Sequence, residues 1–203
     1  MDISYTRVTQ VLSFFSGLDK IHPDVLKNAA NRGTCVHRIC DYIVNKEIYN
    51  LDDEVKKYTV NEDGIVNETH FAFEKPQVEN LVNSFQIWCK DKDFFPKPKR
   101  FYDSTLMITG ECDLIYRDDC GLVLVDLKTP ANESSTWLLQ GSAYSHLANL
   151  CGHNIQRIEF VKLDKAGKAP KIFTYKEDFQ LFKCFLAAYR YMKDKLDNVS
   201  DYL

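Results

Sequence analysis

Two carboxylates and an ammonium group, Asp113, Asp126 and Lys128, stand at spacings that bring them together on one face of a β-hairpin. Residues 111–117 are rich in strand formers, and residues 122–127 form an apolar, β-branched run. Between them Asp118, Asp119, Cys120 and Gly121 read as a tight turn. If residues 119–120 are a two-residue loop, Asp118 pairs with Gly121 and Asp113 lies opposite Asp126, with Cβ atoms roughly 4.5–5.5 Å apart. A turn shifted by one residue puts the pair on a diagonal of about 7–8 Å. Either spacing lets one ion bridge them. Side chains alternate along a strand, so Lys128 shares the face of Asp126.

Opposed carboxylates destabilise a sheet unless a cation or a shared proton lies between them. Hard oxygen donors of this kind suit Mg2+ or Mn2+, which keep several waters and accept one or two carboxylates plus a phosphate. The chemistry implied is hydrolysis of a phosphate ester. Lys128 could orient or help deprotonate the attacking water, or neutralise the pentacovalent phosphate. The alternative is a surface hairpin whose charges face water. Against it, the polar pair Asp126 and Lys128 interrupts a strongly apolar strand.

Gly110-x-x-Asp113, then Asp126-Leu127-Lys128, then Gln140-x-x-x-Tyr144 resembles the PD-(D/E)XK nuclease superfamily. The likeness is nearest to its RecB-like branch, which includes phage-type exonucleases and the mitochondrial genome maintenance exonuclease. That branch also has an upstream helix with a metal-binding histidine, often after Arg-Gly-Thr, and Arg32-Gly33-Thr34-Cys35-Val36-His37 fits this pattern. The resemblance implies a restriction-endonuclease-like core, that is, a three-layer α/β sandwich around a mixed central sheet. It implies a Mg2+- or Mn2+-dependent deoxyribonuclease, with Asp113, Asp126 and Lys128 catalytic and with His37 and the Leu127 backbone carbonyl completing the metal ligands. Arg32, Gln140 and Tyr144 would then hold DNA.

The activity so implied is exonucleolytic, on linear or single-stranded ends, in DNA recombination or repair. A structure-selective or restriction-type endonuclease is the alternative on the same core. A non-cleaving nucleic-acid-binding module is the alternative from another class, and the complete Asp113, Asp126 and Lys128 set argues against it. In many relatives an acid precedes the Gly-x-x-Asp motif near the start of its strand, which makes Asp103 a supporting candidate. Glu111 is a second, because alternation puts it on the face of Asp113. Some RecB-like relatives carry an iron–sulfur cluster held by a late cysteine group. Cys151 and Cys184 stand alone near the end, so no cluster is expected.

These residues need a scaffold. A chain of 203 residues predicts one domain, residues 1–203, with a helical part over about 1–95 and a catalytic core over about 96–203. The net charge of −3 requires any DNA-binding surface to be a local basic patch. No apolar run approaches the ~18 residues of a membrane span. The N-terminal residues lack a basic-then-apolar signal, and a cytoplasmic location is expected. Seven cysteines without a CxxC pair predict free, mostly buried thiols rather than zinc ligands.

Periodicity predicts a short amphipathic helix over 4–16, with Val8, Val11, Leu12 and Phe15 inward. The same segment could serve as an arm offering Ser4, Thr6 and Arg7 to a phosphate. A helix over 23–46 starts at Pro23 and places Leu26, Ala30, Gly33 and His37 on one face. Residues 50–74 read as acidic loops or short helices. Residues 76–92 read as a helix with Val78, Leu81, Val82, Phe85 and Trp88 buried. Lys97, Lys99 and Arg100 form a small basic cluster, and residues 100–108 read as the first strand of the central sheet. Asn132, Ser134 and Ser135 are capping choices for a helix to about Leu150. Strands follow over 155–163 and 171–175, then a helix over about 176–196 with Phe179, Phe182, Leu186, Tyr189 and Met192 inward. Lys162, Lys165, Lys168 and Lys171 are the densest basic stretch. They either blunt a sheet edge or contact the nucleic-acid backbone.

Overall fold

A computed structural model describes residues 4–17, 20–59, 73–96, 100–130 and 132–200. The first part of the chain runs β1 (Thr6–Arg7), α1 (Val8–Phe14), α2 (Pro23–Val44), α3 (Leu51–Thr59), α4 (Lys75–Cys89), β2 (Asp93–Phe94), β3 (Phe101–Asp103) and β4 (Ile108–Gly110). It continues through β5 (Leu114–Asp118), β6 (Gly121–Lys128), α5 (Trp137–Leu150), β7 (Ile155–Lys162), β8 (Lys171–Tyr175) and α6 (Phe179–Ser200).

The central sheet has the order β2-β5-β6-β7-β8. Its β6–β7 pair is parallel and its other pairs are antiparallel. A parallel pair needs a crossover, and α5 supplies it. Strand β6 is buried on both faces from Val123 to Leu127, as its apolar run predicts. Leu124, Ile158 and Phe160 face a core closed by α1, α5 and α6. Val123, Val125, Leu127 and Val161 face a second core closed by α2, α3 and α4. Helices on both faces of a mixed sheet give the expected three-layer α/β sandwich. The helices before residue 95 are split between the layers, α1 on one side and α2–α4 on the other.

The helix boundaries follow local chemistry. Pro23 opens α2, and the His22 ring nitrogen accepts the Asp24 N–H at 3.3 Å. Pro76 sits in the first turn of α4, and all five residues of its predicted stripe are buried. Gly141 lets α5 lie on the sheet: a Cβ there would sit 2.6 Å from the Ile158 Cγ2 and 2.9 Å from the Phe160 ring.

Several expectations are corrected. Residues 100–108 are not one strand of the central sheet. They form the β3–β4 hairpin of a separate sheet ordered β1-β4-β3. The break is made by Asp103, whose Oδ1 accepts the N–H groups of Thr105 and Leu106, both at 2.9 Å, and by Met107 at φ 50°. The segment 4–16 begins as strand β1 and only then turns helical, and Phe15 is exposed against Phe185. In α2 the buried positions are Cys35, Val36, Ile39 and Cys40, while Ala30 is exposed.

Strand β5 starts at Leu114, three residues later than predicted. The N-cap of α5 is Thr136, which donates its N–H to the Ser134 hydroxyl at 3.2 Å. Met192 is exposed. All seven cysteines are free, but Cys120, Cys151 and Cys184 are exposed rather than buried. Lys97, Lys99 and the acidic stretch 61–68 lie outside the described residues. Among the described residues no helix is long and apolar enough to cross a membrane.

Candidate active site

The β5–β6 register is the one that a two-residue loop predicts. Asp118 pairs with Gly121, and the ladder runs to Leu114 opposite Val125. Asp113 sits one step beyond that last pair and donates its N–H to the Val125 carbonyl at 3.2 Å. The turn is tied by Asp118, whose Oδ1 accepts the Cys120 N–H at 2.9 Å, and by Gly121 at φ 121°.

The carboxylates are held from four directions. One Asp113 oxygen meets His37 Nδ1 at 3.0 Å, and the other accepts the Leu127 N–H at 2.7 Å. Asp126 is 4 % exposed, and its Oδ1 lies 3.0 Å from the Lys128 ammonium. Lys128 also donates to Gln140 Oε1 at 2.8 Å, and Gln140 Nε2 donates to the Tyr144 hydroxyl at 3.2 Å. Thus α2, β6, α5 and the segment leading into β5 each contribute a side chain to one constellation.

The two acids are electrically unlike. Burial raises the Asp126 pKa, Lys128 opposes the rise, and the Asp113 charge adds to it; the net shift is upward. Burial would also raise Asp113, but His37, the Leu127 N–H and Lys128 outweigh it and hold this acid low. Burial works against a charge on His37, and the Asp113 carboxylate overcomes it, so the imidazole pKa lies above its ordinary value. Two acids shifted in opposite directions within one buried cluster mark a candidate functional site.

The donor set fits a hard divalent ion. Carboxylate and carbonyl oxygens are the ligands that Mg2+ prefers, and an imidazole at the margin favours Mn2+. The nearby Cys112 thiol is buried and pushed up in pKa, so it offers no thiolate. Among the described residues no three His, Cys, Asp or Glu side chains converge as a ready-made cage. Asp113 is shared between His37 and Leu127, and Lys128 holds Asp126.

An open pocket of about 480 Å³ lies over Asp113, with Arg7, Thr34, His37, Arg100 and Glu111 in its walls. Arg100 Nη2 lies 3.6 Å from Glu111. Arg7 thus belongs to both readings of its segment: the helix that follows it packs through Val8, Val11 and Leu12, while Arg7 itself lines the pocket. Arg100 is a site residue that composition pointed to only as part of a basic cluster.

Gly110 in the Gly-x-x-Asp motif has a steric reason. A Cβ there would stand 2.6 Å and 2.8 Å from Tyr144 ring carbons and 3.1 Å from Leu147. Tyr144 is 4 % exposed and has nowhere to retreat. Gly110→Ala is expected to cost about 1–3 kcal/mol as overpacking. It should also lower activity, because Tyr144 carries Gln140, which carries Lys128. Denaturant unfolding of the variant beside its activity checks this; wild-type stability would refute it. Gly33 has a milder counterpart, since its Cβ would lie 3.4 Å from Thr129 Oγ1, just past Lys128.

The remaining predicted residues are placed as follows. Lys162 is the ladder partner of Lys128, so the two ammonium-bearing positions are side by side on β6 and β7. That closeness could not be read from sequence, because the pairing is set by the α5 crossover. Lys165 and Lys168 lie in the β7–β8 turn, and Arg32 and Lys165 line a separate cavity. Glu111 joins the pocket. Asp103 is brought elsewhere: its Oδ2 meets His146 Nε2 at 2.9 Å while its Oδ1 holds the β3–β4 turn.

No protein family and no curated protein matches this sequence. Among solved structures, the chain is similar to an alkaline exonuclease from Laribacter hongkongensis, at 10% identity and a TM-score of 0.42 over 79% of this chain and 93% of that one. It is also similar to a candidate exonuclease from Eubacterium rectale, at 12% identity and a TM-score of 0.49 over 98% of this chain and 82% of that one.

Proposed function

We propose that this chain is a deoxyribonuclease of the PD-(D/E)XK type, dependent on Mg2+ or Mn2+, that hydrolyses phosphodiester bonds at linear or single-stranded DNA ends. The observation that carries this reading is the Asp113 carboxylate in the wall of an open pocket with Arg7 and Arg100, within electrostatic reach of the buried Asp126–Lys128 pair.

Asp113, Asp126 and the Leu127 carbonyl would hold the ion, with His37 alongside; such an ion, when bound, lowers the pKa of water and polarises a phosphate oxygen. The Leu127 N–H fixes the Asp113 carboxylate in place. Lys128 neutralises part of the Asp126 charge and presents an ammonium group where negative charge grows on the phosphate. Gln140 accepts from Lys128 and so sets its direction, and Tyr144 anchors Gln140. Both are positioning residues in this scheme, with the DNA backbone passing over them. Arg7 and Arg100 face the phosphates that enter the pocket, and Lys162 and Lys168 extend the basic track along β7 and its turn. The preference for ends rests on the motif resemblance, and recombination or repair is the process that such an activity would serve.

The test is end-labelled linear DNA and closed circular DNA incubated side by side with Mg2+, Mn2+ or chelator. Linear DNA should shorten only with an ion present, and the closed circle should survive. Cleavage of the circle would replace the exonuclease by an endonuclease on the same site. No cleavage of either DNA by the wild type would leave a non-cleaving binding module.

A further inference from the structure

Away from the reaction centre, α2, α4 and the β7–β8 turn enclose a cavity of about 230 Å³ lined by Arg32, Gln77, Leu81 and Lys165. We propose that this cavity is a dedicated phosphate subsite, which grips one phosphodiester of the strand at a distance from the scissile bond. The inference rests on the nuclease reading and deepens it, because it makes the substrate a polymer that spans two sites rather than a nucleotide that fills one.

Three observations point to an anion. Among the described residues the buried Arg32 Nε has no hydrogen-bond partner. Buried polar groups are rarely left so, and each exception calls for a missing partner. Burial lowers the Arg32 pKa, and among the described residues no carboxylate forms an ion pair with the guanidinium. A planar guanidinium with free donors beside an ammonium group is the arrangement that recognises phosphate oxygens. Gln77 adds an amide that can donate to a third oxygen.

The second cation is held in place by its backbone. Asn80 Nδ2 donates to the Lys165 carbonyl at 3.0 Å, and the Asp164 N–H donates to Ser84 Oγ at 2.9 Å. The Asp164 carboxylate in turn accepts the Ala166 N–H at 2.9 Å and the Lys168 N–H at 3.2 Å. The turn is therefore pinned to α4, and Lys165 is presented at the cavity rather than left on a loose loop.

The polymer follows from continuity with the catalytic residues. Arg32 immediately precedes Gly33, where a Cβ would lie 3.4 Å from the Oγ1 of Thr129, the residue after Lys128. Lys165 follows Lys162, the ladder neighbour of Lys128, by three residues. Both cations thus hang from the backbone that carries the reaction centre, as contacts along one strand require.

The test reads binding in chelator, where no cleavage occurs. Fluorescence anisotropy with a labelled single-stranded oligonucleotide is measured for the wild type, Arg32→Gln, Lys165→Gln and Lys176→Gln. Each of the first two should raise Kd about 5–10-fold and reduce the log–log salt slope by about 0.7. Lys176→Gln, an exposed charge away from the cavity, should leave the slope unchanged. Equal effects from all three would reduce the result to net charge and overturn the subsite. So would competition by inorganic phosphate at micromolar concentration, since a free anion would then be the ligand. Should Arg32→Gln fail to fold, Arg32→Lys tests the same donors. Arg32-dependent binding without cleavage in Mg2+ would keep the subsite and discard the nuclease; cleavage with unchanged Kd in both variants would do the reverse.

Discussion

Replacing Asp126 by asparagine should abolish the proposed hydrolysis and make the ion-free protein more stable. The loss of activity should reach about a thousandfold, the scale of removing a group that stabilises transition-state charge. The gain in stability comes from the same atom. Asp126 is buried and its pKa is raised, so the folded state binds a proton more tightly there than the unfolded chain does. A raised acid makes stability fall as pH climbs from the ordinary carboxylate range to the raised folded value. Asparagine removes that slope and keeps an acceptor for Lys128. In chelator near neutral pH the variant should gain on the order of 1–2 kcal/mol, seen as a melting temperature roughly 2–4 °C higher for each kcal/mol. Mg2+ should raise the melting temperature of the wild type and leave that of the variant where it was. A variant that melts lower than the wild type in chelator, or that still responds to Mg2+, would remove Asp126 from the metal site.

Lys128→Met should lower kcat by about 10²–10³-fold with little change in KM, because the ammonium group acts where charge develops and not where substrate is first held. Lys128→Arg should recover only a small part. The ammonium is shared between Asp126 at 3.0 Å and Gln140 at 2.8 Å, and a planar guanidinium cannot reproduce that fork at the same depth. Gln140→Ala should sit between the two, since Lys128 keeps its charge but loses one of its guides. Full activity in Lys128→Met would refute this role.

The geometry of the candidate site was legible in the sequence because its parts are local. Asp113, the turn, Asp126 and Lys128 lie within sixteen consecutive positions, and strand alternation with one turn fixes their relation. The burial of β6 on both faces followed from its continuous apolar run in the same way. What failed had causes that periodicity does not carry. The run 100–108 looks like one strand, but an aspartate accepting from two N–H groups folds it into a hairpin. That Gln140 accepts from Lys128 has no trace in the sequence either; it is set by how closely α5 lies over Gly110 and Ile158. Asp103 is drawn away by His146, forty-three positions downstream. Arg7 reaches the pocket through β1–β4 pairing and Arg100 through the β3–β4 hairpin it leads into, three-dimensional facts with no periodic trace.

The way the key side chains are distributed has a consequence for damaged molecules. His37 belongs to one outer layer, Gln140 and Tyr144 to the other, and the two acids to the sheet between them. Detaching either outer layer would remove a holder of Asp113 or of Lys128. A partly unravelled copy would therefore lose the arrangement of the site before it is fully unfolded.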